Sequence, residues 1–270
     1  MSFRVKLIAT ALALGFAATS VMAAEPLYTV KPKVTALDAV PVKIMVIGNS
    51  YSYYNCGVFD YLWGFAADQK EDLQTAQATI AGADLDWHHV ESLINPPGKS
   101  WSFIFKKDKQ GRLFDAVLLQ PNSMSPIDPR MVDNFKEWAA KHIKTIRAAG
   151  SEPALVMTWA RKGKPEMTKP LADSVISVGN ANNALVIPVG LAFANALEKD
   201  PKVNLIMPDN SHPTAAGSYL ESAVIYSALM KHPIEKSNYL GGCEKPLKPE
   251  LAAFLRDVAW QTVKDFYGWK

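Results

Sequence analysis

The run Ile44-Met45-Val46-Ile47, ended by Gly48-Asn49-Ser50, constrains this chain more than any other stretch. An apolar run of this length, bounded by a turn signal, suits a strand buried on both faces, and such strands belong to parallel sheets covered by helices. The glycine turns the chain at the strand's carboxyl end, where open α/β sheets bind their ligands. A serine just past that turn is lifted into the crevice, and the helix predicted over 58–69 aims its amino end at the same place. Ser50 is therefore a candidate nucleophile. The structural alternative is a serine that caps the following helix.

Segments 73–80, 114–120, 153–159 and 184–189 read as further strands, with helical stretches between and after them. The helix predicted over 132–149 repeats Phe135, Trp138, Ala139, His142, Ile143 and Ile146 at helical spacing and stops at Gly150. Strands alternating with helices predict an α/β protein, a three-layer sandwich around a mainly parallel sheet of about five strands.

The chain begins with Arg4 and Lys6, the apolar run Leu7 to Ala18, and Val21-Met22-Ala23, the pattern of an export signal cut after Ala23. That predicts a periplasmic or secreted protein with no membrane span in the mature chain, because no later segment supplies the roughly 18 apolar residues a span needs. Prolines 26, 32 and 41 make residues 24–41 an extended arm. Residues 42–235 form the main domain. Residues 236–270 add a loop and a packing helix from Pro249, with Leu251, Leu255, Val258, Thr262 and Phe266 on one face. Cys56 and Cys243 are the only cysteines. In an oxidising compartment they can pair, and two separate buried thiols are the other reading. The formal charge of +3 falls to +1 without Arg4 and Lys6, which leaves no electrostatic footprint for nucleic acid.

The second half of the chemistry stands at Asp209-Asn210-Ser211-His212-Pro213, immediately before a helix predicted over 215–230. Three residues apart in a tight loop, Asp209 can hold the His212 imidazole in one tautomer and stabilise it once it has taken a proton. That is the orienter and base a serine nucleophile requires. Other polar clusters read differently. His88 and His89 are adjacent, so on a helix they point about 100° apart, and no metal or cofactor is expected there. They and Trp87 flank a pocket or pack. His142 lies on an apolar face and reads as a core histidine. Arg161 is either a solvated loop residue or a contact for an anionic part of a substrate, and Tyr51, Tyr53 and Tyr54 either wall a pocket or pack.

These motifs resemble those of the SGNH hydrolases, also called GDSL-like esterases and lipases. The matching blocks are G-N-S-Y-S at Gly48 to Ser52, the glycine at Gly82, the amide-bearing strand end at Gln120 to Ser123, and D-N-S-H-P at Asp209 to Pro213. The resemblance runs from Val42 to Met230 and implies a flavodoxin-like fold. It also implies that Ser50 attacks an ester carbonyl, His212 moves the proton and Asp209 orients His212. The oxyanion would receive the Ser50 and Gly82 amides and a side-chain amide. Where the family has Gly-x-Asn-Asp, this chain has Gln120-Pro121-Asn122-Ser123. Gln120 is the preferred donor, since related carbohydrate esterases carry a glutamine at this strand end, and Asn122 is the second choice.

The resemblance implies an exported serine esterase acting on a short acyl ester of a carbohydrate or another small molecule. Two alternatives are a glycan-binding or accessory protein with an impaired oxyanion hole, and an acyltransferase that passes the acyl group to a sugar hydroxyl.

Overall fold

The computed structural model describes residues 26–96, 105–234 and 236–270. The predicted export signal lies outside the described residues. Among the described residues five strands form one sheet: β1 (Lys43–Gly48), β2 (Gln74–Thr79), β3 (Ala116–Leu119), β4 (Glu152–Val156) and β5 (Leu185–Ile187). All neighbours pair in parallel, in the order β2-β1-β3-β4-β5. From Ile44 to Gly48 every residue of β1 is buried, and β3 is buried throughout, which is why both read as uninterrupted apolar runs. Polar β2, half-buried throughout, closes one edge. Helices on both faces make the three layers that the strand and helix alternation predicts.

The helices are α1 (Ser50–Tyr53), α2 (Val58–Gln69), α3 (Val90–Ile94), α4 (Val132–Ala148), α5 (Thr168–Ala181), α6 (Val189–Lys199), α7 (Ala215–Met230) and α8 (Pro249–Tyr267). Helix α7 is apolar nearly all round because α2, α6 and α8 pack against it; every residue from Ala216 to Met230 is buried. Within α8, Leu255, Val258, Thr262 and Phe266 are buried, as their spacing requires. The Tyr267 hydroxyl donates to the Val186 carbonyl at 2.8 Å and ties the end of α8 to β5.

The arm holds to the domain by polar contacts. Asp173 accepts from the Thr29 and Val30 amides, and Asn180 exchanges bonds with Lys31 and Lys33.

The strand order reverses direction at β1, so the connections leaving β1 and β3 depart to opposite faces. In sheets of this order the ligand-binding position is at the carboxyl ends of these two strands. Helix α2 spans the predicted residues 58–69, and the single turn α1, which the sequence did not signal, precedes it across a kink. Asn55, Cys56 and Gly57 all take positive φ, at 54°, 75° and 84°. The kink separates the two helices.

Candidate active site

The nucleophile turn is built by Gly48 and Asn49. A Cβ on Gly48 would stand 2.7 Å from Ser52 Oγ and 3.0 Å from Gln120 Oε1, so no side chain fits. Asn49 Oδ1 accepts from the Tyr51 amide at 3.1 Å and caps α1. Its amide nitrogen donates to the Ala83 and Pro121 carbonyls at 3.0 and 3.1 Å. One side chain thus joins three loops: the turn after β1, the loop after β2 and the loop after β3. Ser50 is the first residue of α1, where a backbone N–H has no intrahelical acceptor.

The second loop approaches from the far end of the chain. Met207 N donates to the His212 carbonyl at 2.8 Å and Asn210 N to the Met207 carbonyl at 3.0 Å, with Asn210 at a φ of 64° that asparagine tolerates well. Thr214 then accepts from Gly217 N and starts α7. Trp159, stacked between Tyr51 and Phe193 at 4.3 and 4.2 Å, donates its indole N–H to the Ser211 carbonyl at 3.1 Å. The Tyr51 hydroxyl pairs with Ser211 Oγ at 2.8 Å.

These supports bring three side chains into line. His212 Nδ1 lies 2.6 Å from Asp209 Oδ2, and His212 Nε2 lies 2.9 Å from Ser50 Oγ, across 162 positions of sequence. With Nδ1–H donating to the carboxylate, Nε2 is left to accept the serine hydroxyl. Asp209 Oδ1 also accepts from the Ser211 and His212 amides. The bond from the His212 ring, followed by that from the Ser211 amide, holds the Asp209 carboxyl below its ordinary pKa. The Tyr54 ring stacks on the imidazole, and Asn55 Nδ2 donates to the Pro213 carbonyl at 3.0 Å.

Gly82 takes φ +71°, its Cα faces open space, and its N–H has no partner among the described residues. Asn122 Nδ2 donates to the Gly82 carbonyl at 3.0 Å, and Asp84 Oδ1 receives the Asn122 amide at 3.1 Å, so the two loops are stitched together. Gln120 departs from its expected place. It is 1% exposed, its Oε1 accepts from Ser52 Oγ at 2.6 Å and its Nε2 donates to Glu221 Oε1 at 2.8 Å. Its amide is engaged below the turn because a carboxyl on α7 meets it there.

The remaining candidates sort by burial. His142 is buried with Nε2 2.8 Å from the Leu85 carbonyl, and burial lowers its pKa and that of His88. Trp87 and His89 are exposed. Tyr51 packs, Tyr53 is on the surface, and Tyr54 does both by covering His212. Arg161 Nη2 donates to Ser123 Oγ at 2.9 Å, which sets it beside the loop after β3. Cys56 and Cys243 form a disulfide with Cα atoms 5.3 Å apart. Among the described residues no cluster of histidine, cysteine, aspartate or glutamate could hold a metal ion, and no helix is long and apolar enough to cross a membrane. Sequence reasoning passed over Asn55 and Glu221. Only the positive-φ tolerance of asparagine, two residues before Gly57, hinted at the kink.

The doubly wound parallel sheet makes this an α/β sandwich, with Ser50, His212 and Asp209 brought together at its carboxyl edge. Among such sandwiches the fold is that of the SGNH hydrolases. A DUF4886 family protein from Bacteroides uniformis superposes with TM-score 0.61 at 18% identity, over 84% of this chain and 96% of that one. A protein from Slackia heliotrinireducens described as a candidate SGNH hydrolase gives 0.51 at 20% identity, over 69% and 98%. An acetyl xylan esterase gives 0.52 at 15% identity, over 69% and 98%. No protein-family profile and no curated protein sequence matches the chain.

Proposed function

We propose that this protein is an exported serine esterase that removes a short acyl group from a carbohydrate or another small ester. The observation that carries the reading is the line Ser50 Oγ, His212 Nε2, His212 Nδ1, Asp209 Oδ2, with contacts of 2.9 and 2.6 Å. His212 takes the Ser50 proton as the serine oxygen bonds to the acyl carbon, then returns it to the leaving alcohol as the ester C–O bond breaks. A water, activated by the same imidazole, releases the acid from the acyl-enzyme. The charge that develops on the carbonyl oxygen is met by the Ser50 and Gly82 N–H groups and by the Asn122 side-chain amide. Asn122 takes this role in place of Gln120, whose amide already serves Glu221.

The likeness of fold to an esterase of acetylated xylan supports a short acyl group on a sugar. The leader over residues 1–23 and the disulfide support export. Residues 42–270 then act as one domain, with 24–41 as its arm.

Purified mature protein is expected to hydrolyse p-nitrophenyl acetate and to be labelled by a fluorophosphonate at Ser50. Full activity in Ser50→Ala, or a label mapped to another residue, would remove the assignment.

A further inference from the structure

Glu221 sits on α7, nine positions after His212, with no exposed surface. One oxygen accepts from Gln120 Nε2 at 2.8 Å, and the other has no hydrogen-bond partner among the described residues. Gln120 in turn accepts from Ser52 Oγ at 2.6 Å, two residues past Ser50. The three side chains form a buried line. It runs from the nucleophile turn, through the end of β3, to the helix that follows the His212 loop. Its tight fit is visible at Gly48, where an added Cβ would strike both Ser52 and Gln120.

We propose that Ser52, Gln120 and Glu221 are positioning residues that fix the Ser50 turn against the Asn122 loop and the His212 helix. This rests on the esterase reading and deepens it. None of the three touches the reacting atoms. Gln120 N donates to the Ile47 carbonyl at 2.8 Å, and its neighbour Pro121 receives Asn49 Nδ2, so a shift of Gln120 moves the Asn122 backbone relative to Ser50. Glu221 serves as a neutral acceptor. Burial raises its carboxyl well above the ordinary range, and the bond from Gln120 only partly offsets that. A carboxylate there would be an unpaired charge in the core.

A neutral acceptor can be replaced by an amide of the same shape. Glu221→Gln is expected to keep kcat for p-nitrophenyl acetate within about threefold, because its carbonyl still meets Gln120. Glu221→Leu removes the acceptor, and kcat is expected to fall on the order of 100-fold with KM little changed, the cost of misplacing reacting groups by about an ångström. The rate of fluorophosphonate labelling should fall in step. Ser52→Ala, which leaves the core intact, should show the same pattern more weakly and serves where the leucine variant does not fold. Hydrogen exchange over peptides 48–54 and 119–125 reads the positioning without any substrate: faster in Glu221→Leu, unchanged in Glu221→Gln. Wild-type kinetics in Glu221→Leu, or equal losses in the glutamine and leucine variants, would overturn the proposal. A wild-type protein that neither hydrolyses nor labels would sink the esterase reading instead, and the exchange pattern would still decide whether the line positions the turn.

Discussion

The Tyr54 ring lies over the imidazole of His212, with centroids 4.3 Å apart and planes 14° from parallel. Tyr51 meets the same imidazole edge-on at 5.6 Å, so the ring is held from two directions. When His212 takes a proton it becomes a cation against an aromatic face, an arrangement that contributes about 0.5–2 kcal/mol. Tyr54→Ala is expected to lower kcat about three- to tenfold with KM nearly constant, and Tyr54→Phe to leave it unchanged. Steady-state kinetics on p-nitrophenyl acetate check this. Equal losses in both variants would assign the effect to the hydroxyl rather than to the ring.

The Cys56–Cys243 disulfide anchors the segment that presents Tyr54 and Asn55 to the His212 loop. It joins residues 187 apart, and Asn55 beside it donates to both Pro213 and Ser218. A bridge across so long a stretch restricts the unfolded chain strongly, and loss of a native disulfide costs about 2–5 kcal/mol. Cys56→Ser/Cys243→Ser is expected to melt about 5–15 °C lower in calorimetry. Its kcat should fall in the same direction as that of Tyr54→Ala. An unchanged melting temperature would mean that the bonds of Asn55 already fix the kink.

Asp173 gives the arm an acid-sensitive attachment. Burial opposes its charge, but the Lys169 ammonium and the Val30 and Thr29 amides outweigh burial and hold the carboxyl far below the ordinary range. A carboxyl depressed in the folded state adds stability above its unfolded pKa of about 4, and that stability is lost as pH falls through the folded value. Asp173→Asn is therefore expected to melt below the wild type at pH 7. The gap should narrow as pH drops below about 4. Thermal unfolding across pH 2–7 checks the slope, with faster tryptic cleavage at Lys33 at neutral pH in Asp173→Asn as the sign of a loosened arm. A gap independent of pH would show that geometry, not charge, holds the arm.

The long elements were legible because their signals are local. Helices α2, α7 and α8 begin at Val58, Ala215 and Pro249, where the apolar spacing or a proline marks a start, and the parallel order follows from buried runs such as Ile44 to Ile47. The turn at Ser50 was less legible. A four-residue helix has no period to detect. The left-handed Asn55 and Cys56 that end it are held by Pro213, Ser218 and Cys243, partners far off in the sequence. Gln120 was misleading for a related reason. A polar residue at a strand end reads as facing the crevice, yet its partner is a carboxyl 101 residues away, inside a helix apolar on nearly every side.

Asn122 carries the last prediction. One of its two amide protons goes to the Gly82 carbonyl, and its Oδ1 is fixed by the Met124 amide, so the side chain is oriented while the second proton stays free for a developing oxyanion. The Gly82 N–H, without a partner among the described residues, lies on the neighbouring loop after β2, and Asp84 ties the two loops together by accepting the Asn122 amide. Loss of one oxyanion donor costs about 3 kcal/mol in the barrier, roughly 100-fold in kcat, and little in KM because the charge exists only in the transition state. Asn122→Ala is expected to show that split. Asn122→Asp keeps the shape but opposes a negative oxygen with a carboxylate, so its loss should be at least as large. Pre-steady-state kinetics with p-nitrophenyl acetate separate this effect from the positioning role of Gln120. Asn122→Ala should slow acylation while leaving hydrogen exchange around Ser50 unchanged, whereas Glu221→Leu alters both. If Asn122→Ala acylates at the wild-type rate, the third donor is not this amide, and the two backbone N–H groups carry the oxyanion alone.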